Sequence, residues 1–438
     1  MLDKIKKIYE HIPKRYLYFL KHIPNNILFG KDYIRCKSEV TTSTNLLQNR
    51  LYSTLVYARD NTIFWSKLIP AEFKLPDTFP VFNDLPFIGP GDLLNEIHLF
   101  VSKECNKNNS YRTTTGGTGR NPTTLVLSNE SYALEWAHMY SLWGHLGYER
   151  TRNIKLTLRG TSLKNGRLYA YNPMYNEIVI DTFQMDKGNF PIIFKQAQQC
   201  EYIHGYPSLV KEFKNLMEYF GYRISFRGIF LGSEGVDLSE KLDLQSFFGC
   251  GLLSWYGQSE KVVLAADYEC NNSFHVLTSY GYPCTYRESN YSGEIAGTTF
   301  VNKALPLIKY RTGDYGRIEL QDNKIVIKDL IGRWGKDFVY LNKDKKIPTT
   351  SINLHSEVQQ LILLYQIHQN EYGKLKIKVL PKSNVNISDE TLINRLDSEI
   401  GSKLQKFAIV YEIVKKSDEF IKSPRGKFIL LVQDLPAD

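Results

Sequence analysis

Short β-branched runs recur along the chain with helical patterns between them, and this alternation limits the fold more than any other feature. The runs read LTLRG at 156–160, EIVIDTF at 177–183, SFRGIFLG at 225–232 and KIVIKDL at 324–330. Runs rich in Val and Ile predict strands, and strands separated by helical stretches predict α/β layering with mixed sheets. A chain of 438 residues exceeds what one hydrophobic core supports, so more than one domain is expected. After the run at 324–330, IGRWGKD carries Gly332 and Gly335, which interrupt the pattern and offer a joint. We expect a basic N-terminal extension at 1–44, a large domain at 45–333, and a small, mobile α+β domain at 334–438. The small domain should hold a helical VQQLILL near 358–364 and the strand KLKIKVL at 374–380. A helix opened by Ser388, with Asp389 and Glu390 in its first turn, and the strand FAIVYEIV at 407–414 should follow.

Composition removes several classes of function. Six cysteines are scattered without a CxxC pair, which argues against a disulfide framework or zinc ribbon and fits a reducing cytoplasm. No apolar run approaches the length of a membrane span, and the N-terminus lacks the pattern of a signal peptide. The net charge of +9 is spread along the chain, so a nucleic-acid partner is not expected. Residues 1–22 differ: Lys4, Lys6, Lys7, Lys14, Arg15 and Lys21 interleave with apolar residues at helical spacing broken by Pro13. Such an element suits peripheral contact with an anionic membrane, or simple packing on its own domain.

The segment TTTGGTGRNPT at 113–123 has the makings of a phosphate cradle. Gly116, Gly117 and Gly119 let the backbone turn its N–H groups toward an anion, Thr114, Thr115 and Thr118 add hydroxyls, and Arg120 adds charge. It matches neither GxxxxGK[ST] nor GxGxxG, and a plain surface loop is the competing reading.

Five segments in order give that loop a context: TTGGTGRNPT (114–123), GSEG (232–235), WYGQSE (255–260), YRTGD (310–314) with IGR (331–333), and SPRGK (423–427). Together they resemble the adenylate-forming superfamily. ALPLIKYRTGDYGRIE at 304–318 and GYPSLV at 205–210 are similar to its phenylacetate–CoA ligase and CapK-like (coenzyme F390 synthetase-like) branch, and the likeness covers roughly residues 45–438. The resemblance implies a large ATP- and acyl-binding domain with a small C-terminal lid.

It also implies roles, residue by residue. Thr114, Thr115, Gly116, Gly117, Thr118 and Gly119 would hold the β- and γ-phosphates, with Arg120 where the family has lysine. Ser233, Glu234 and Gly235 would border the adenine, Tyr256 with Gly257 would stack on it, and Asp314 would bind the ribose hydroxyls. Glu260 would hold Mg²⁺, for which one carboxylate plus water and phosphate suffices. Arg333 would clamp near the α-phosphate. Lys427 would bridge carboxylate and α-phosphate, its compact ammonium on a long stem neutralising the transition state. Gly335, Lys336 and Asp337 stand at the family's hinge, although GRWGKDF departs from its usual GRxDD.

Trp136, Tyr140 and Trp143 follow the loop where the family lines its acyl pocket, and Gly205 and Tyr206 are further pocket candidates; packing in the core is their ordinary use. Cys270 and His275 resemble two ligands of a structural zinc in some members, but a closed site takes four, so zinc is not expected. The implied activity is ATP- and Mg²⁺-dependent activation of a small carboxylic acid, with transfer to CoA or to an amine or hydroxyl acceptor such as a sugar in surface-polysaccharide synthesis. The alternative is a non-catalytic nucleotide- or anion-surface-binding protein on the same fold.

Overall fold

The computed structural model describes residues 18–435 except 115–123, 162, 290–291, 333–337, 344–345, 349–357, 359–360, 384, 402–403, 405 and 423–427. It is a mixed α/β structure, as the alternation predicts. A hairpin of β1 (Ser110–Thr114) and β2 (Thr124–Ser128) comes first among the strands. The large sheet then takes β3 (Lys155–Leu158), β4 (Tyr169–Asn172), β5 (Glu177–Ile180), β6 (Tyr202–Gly205), β7 (Gly228–Gly232), β8 (Gly251–Gly257), β9 (Leu264–Asp267) and β10 (Phe274–Val276). It is completed by β11 (Gly281–Ser289), β12 (Ser292–Thr299), β13 (Tyr310–Gln321) and β14 (Lys324–Ile331). Its order is β11-β12-β13-β14-β10-β9-β8-β7-β6-β3-β5-β4. The stretch β5-β3-β6-β7-β8 is parallel, and the other pairings are antiparallel.

The parallel stretch is buried on both faces. On one, Leu156, Leu158, Ile178, Ile180, Ile203 and Ile229 form an aliphatic core with the helices Phe190–Ala197, Pro207–Phe220 and Leu238–Phe248. Local chemistry fixes those helices. Pro207 occupies the first turn of the second, where a missing N–H costs nothing, and left-handed Gly221 ends it; Asp237 caps the third by accepting from the N–H of Glu240 at 2.8 Å. The other face is covered by the Asn129–Gly144 helix, which Ser128 caps. Leu28, Phe29, Tyr33 and Cys36 join that helix's core, so the segment before residue 45, read from sequence as an extension, contributes to the interior of the large domain.

Strands after Ile331 join separate sheets. β15 (Phe338–Tyr340) pairs with β16 (Lys346–Pro348), while β17 (Ile362–Glu371), β18 (Lys374–Pro381), β19 (Ala408–Ile413) and β20 (Leu431–Gln433) form a sheet of order β19-β18-β17-β20. The helix Asp389–Leu396 opens on Ser388, whose side chain accepts from the N–H of Thr391. One expectation holds only in part: Val358 and Leu361 are helical, but Ile362, Leu363 and Leu364 open β17, because pairing with β18 and β20 decides the conformation of an apolar run that has no period of its own. The module rests on the Pro207–Phe220 helix: the Ser383 N–H donates to Asn215 Oδ1 at 2.9 Å, and the Ser417 hydroxyl donates to Glu212.

Candidate active site

Parallel α/β sheets bind ligands beyond the carboxyl ends of their strands. At that edge here lie the segments after β3 (Arg159–Thr161), β6 (Tyr206), β7 (Ser233–Gly235) and β8 (Gln258–Glu260). Ser233 has φ 73°, a left-handed conformation costly for a residue with a Cβ and one that concentrates at functional turns.

Tyr256 and Asp314 meet in this region. The Tyr256 hydroxyl donates to Asp314 Oδ2 at 3.0 Å. Burial, and after it the Asp314 charge, push the phenol well above its ordinary pKa, so it stays a donor. The RTG stretch of β13 is fixed by Glu294 of β12, which accepts from Arg311 Nη2 at 2.8 Å and from the Gly313 N–H at 3.0 Å. Glu260 is 2 % exposed and accepts from the Tyr310 hydroxyl at 3.2 Å. Its neighbour Lys261 pairs with Glu135 of the Asn129–Gly144 helix.

Two further segments reach this neighbourhood. Leu125 and Val126 of β2 share a hydrophobic cluster with Tyr256, Val263 and Tyr310, which places the hairpin flanking 115–123 against the same core. Glu234 accepts from the N–H of Ser208 at 3.1 Å and from the N–H of Phe428 at 3.1 Å. The C-terminal module therefore touches GSEG through the residue that follows Lys427. Thr114 ends β1. Thr115, Gly116, Gly117, Thr118, Gly119, Arg120, Arg333, Gly335, Lys336, Asp337 and Lys427 lie outside the described residues, as do Lys4, Lys6, Lys7, Lys14 and Arg15.

Beside this edge, a cavity of about 510 Å³ runs along the sheet face beneath the Asn129–Gly144 helix. Of the expected pocket residues, Trp136, Trp143 and Tyr206 line it. Tyr140 does not; it is buried in the aromatic cluster behind, 5.1 Å from the Trp136 ring and 5.8 Å from that of Trp143. Nor does Gly205, whose glycine has a packing reason: a Cβ there would lie 2.4 Å from the Leu158 carbonyl oxygen. The lining also holds residues that sequence reading passed over, Lys155, Thr157, Arg159, Glu177 and His204. For Lys155, Thr157 and Arg159 a signal was present in KLTLR, where polar side chains alternate with leucine in a strand buried on both faces.

Lys155 Nζ donates to Glu177 Oε2 at 2.5 Å, and Thr157 Oγ1 donates to the same oxygen at 2.8 Å. Burial alone would raise the Glu177 carboxyl, but the Lys155 ammonium holds it below its ordinary value. His204 is driven well below the ordinary histidine range by burial first and by Arg159 and Lys155 after it, so its ring is neutral. Cys270 and His275 sit among no group of three or more potential metal ligands in the described residues.

No protein-family model matches the sequence, and no curated protein matches it. Solved structures do match in shape. 2-Hydroxyisobutyryl-CoA ligase in its postadenylation state, bound to 2-HIB-AMP, superposes with a TM-score of 0.65 at 13% identity over 89% of each chain. The same ligase in its thioesterification state, with 2-HIB-AMP and CoA, gives 0.51 at 14% identity over the same shares. GH3.15 acyl acid amido synthetase gives 0.56 at 13% identity over 88% of this chain and 92% of its own. The chain has the fold of the adenylate-forming ligases, with a C-terminal domain.

Proposed function

We propose that the protein is an ATP-dependent carboxylate-activating ligase that forms an acyl-adenylate and passes the acyl group to a second nucleophile. The carrying observation is that Tyr256, Asp314, Glu260 and Glu234, drawn from three separate stretches of sequence, converge on one sheet edge together with the flank of Lys427.

Attack of a carboxylate on the α-phosphorus of ATP asks the protein for positioning and charge neutralisation more than for covalent chemistry. Tyr256 stacks on adenine, its hydroxyl meanwhile fixing Asp314, which accepts from the ribose hydroxyls. Ser233, Glu234, Gly235 and Gly257 border the base. Thr114 and residues 115–119 hold the β- and γ-phosphates with Arg120, and Arg333 lies near the α-phosphate. Glu260 offers the hard carboxylate oxygen that Mg²⁺ prefers, and the ion would neutralise phosphate oxygens. Lys427 neutralises the pentavalent phosphorus and the incoming carboxylate. The better superposition on the postadenylation form supports reading the present placement of the C-terminal module as the adenylating one.

For the acceptor, CoA and an amine are both supported by neighbours of this fold, a CoA ligase and an amido synthetase. The likeness of 304–318 and 205–210 to the phenylacetate–CoA ligase and CapK-like branch adds a sugar amine or hydroxyl, in surface-polysaccharide synthesis. ATP–pyrophosphate exchange over a carboxylic-acid library tests the activation step. Lys427→Ala should abolish exchange while ATP binding survives; exchange at the normal rate in that variant would overturn the assignment. Intact-mass analysis of products with CoA, amino sugars and amino acids identifies the acceptor.

A further inference from the structure

The cavity has a chemistry of its own. Lys155, Thr157 and Arg159 follow one another at every second position of β3 and its end, and register puts Glu177 opposite Lys155, and Val179 and His204 on either side of Thr157. All therefore lie on one face of the sheet, while Leu156, Leu158 and Ile178 fill the other. A parallel strand buried on both faces is ordinarily apolar throughout, because an interior polar group is costly unless it is bonded. Polar residues confined to one face, around a void, mark that void as a place for a polar occupant.

The charges count in one direction. Lys155 and Glu177 neutralise each other, leaving Arg159 as the additional cation among the lining residues. Its guanidinium lies 5.7 Å from the centre of the Tyr206 ring, at the exposed end of the strand. Trp136, Trp143, Tyr175 and Tyr206 give the walls flat aromatic surface. The volume falls within the range of small-molecule pockets.

Resting on the ligase reading above, we infer that this cavity selects the acid to be activated. It takes a ring-bearing carboxylic acid with a second hydrogen-bond-accepting group, a hydroxyl or carboxylate, at the end remote from the reacting carboxylate. The reacting carboxylate then lies toward the edge shared with β7 and β8. That edge is two strand spacings from Tyr206, roughly 10 Å, a span suited to a substituted ring. The remote group meets the Arg159 guanidinium beside Tyr206, and discrimination through a charged hydrogen bond is stronger than that of a purely apolar pocket.

The test is binding of benzoate, 4-hydroxybenzoate and benzene-1,4-dicarboxylate to the full-length protein without nucleotide. Quenching of tryptophan fluorescence is the readout, since Trp136 and Trp143 line the cavity. At least one of the two substituted acids should bind about tenfold or more tightly than benzoate, and Arg159→Gln, at an exposed position, should remove most of that gap. Equal affinity for all three acids, no binding of any, or a gap unchanged in Arg159→Gln overturns the inference. ATP–pyrophosphate exchange with the same acids separates the two readings. Selective binding without exchange removes the ligase assignment and leaves the pocket; exchange with no preference for a substituted acid removes the pocket inference and leaves the ligase.

Discussion

Two buried lysine–carboxylate pairs in the large domain look alike in isolation and differ in what surrounds them. Lys241 Nζ donates to Asp267 Oδ2 at 2.7 Å and to Asn272 Oδ1 at 2.7 Å, while Asp267 also accepts from the N–H groups of Asn271 and Asn272 at 3.0 Å each. Both side chains are 0 % exposed. This pair ties the Leu238–Phe248 helix to the turn between β9 and β10, and protein atoms close around it. Lys155–Glu177, at 2.5 Å, is comparably short, but both side chains line a cavity. Burial and ion pairing alone do not distinguish a pair closed in by protein atoms from one beside a void; what adjoins the pair does.

The largest expected effect is therefore at the closed pair. Asp267→Ala leaves an ammonium with no counter-charge and two backbone N–H groups with no acceptor, and should cost about 3–5 kcal/mol. Chemical denaturation monitored by circular dichroism checks this. Glu177→Gln, beside a void that water can enter, should cost less than half as much. If the two variants lose equal stability, the contrast between clamp and pocket is wrong.

A third buried carboxylate sharpens the comparison by having no bonded cation among the described residues. Glu212 lies under the C-terminal module and accepts from the Ser417 hydroxyl. Burial raises its pKa from 4.5 to about 7; Lys422 and the Ser417 bond oppose the rise, while Asp418 and Asp186 add to it. Between those values the folded chain holds a proton that the unfolded chain has released. Stability from this group is thus complete below pH 4.5 and is lost as pH rises toward 7, by roughly 3 kcal/mol in all. Denaturation midpoints at pH 5, 6, 7 and 8 should fall for the wild type relative to Glu212→Gln. Parallel curves for the two proteins would show that the carboxyl is hydrated in the folded state.

Sequence made one half of the site legible and concealed the other. GSEG, WYGQSE and YRTGD were readable because each is a compact run, and the fold brings the first two to the ends of β7 and β8 and the third into β13. Tyr256 and Asp314 could be named separately, but only the antiparallel excursion from β8 through β14 sets the phenol against the carboxylate. Glu177 and His204 are each ordinary alone, and even the alternation around Lys155 does not say what it faces; parallel register across β5, β3 and β6 makes the three one surface. Tyr140 lies outside the cavity lining for the converse reason. Helical spacing gives the aromatic cluster its period but does not say which members reach the void.

The smallest expected change in stability is also the most discriminating. Replacing both members of a buried pair with residues of similar volume removes attraction and desolvation cost together, so the balance is often close to zero. Lys155→Met with Glu177→Gln should alter stability by no more than about 1 kcal/mol, since Thr157 and Asn172, which donate to the two Glu177 oxygens, keep an amide as partner. Lys241→Met with Asp267→Leu should remain clearly destabilising, because the N–H groups of Asn271 and Asn272 keep no acceptor. The cavity double variant should still exchange pyrophosphate, with a higher KM for the preferred substituted acid and an unchanged KM for benzoate. A closed pair is needed by the fold whatever is bound, whereas an open one shows its value only when the right ligand is present; a KM that rises equally for all acids would place Lys155 and Glu177 with the clamps.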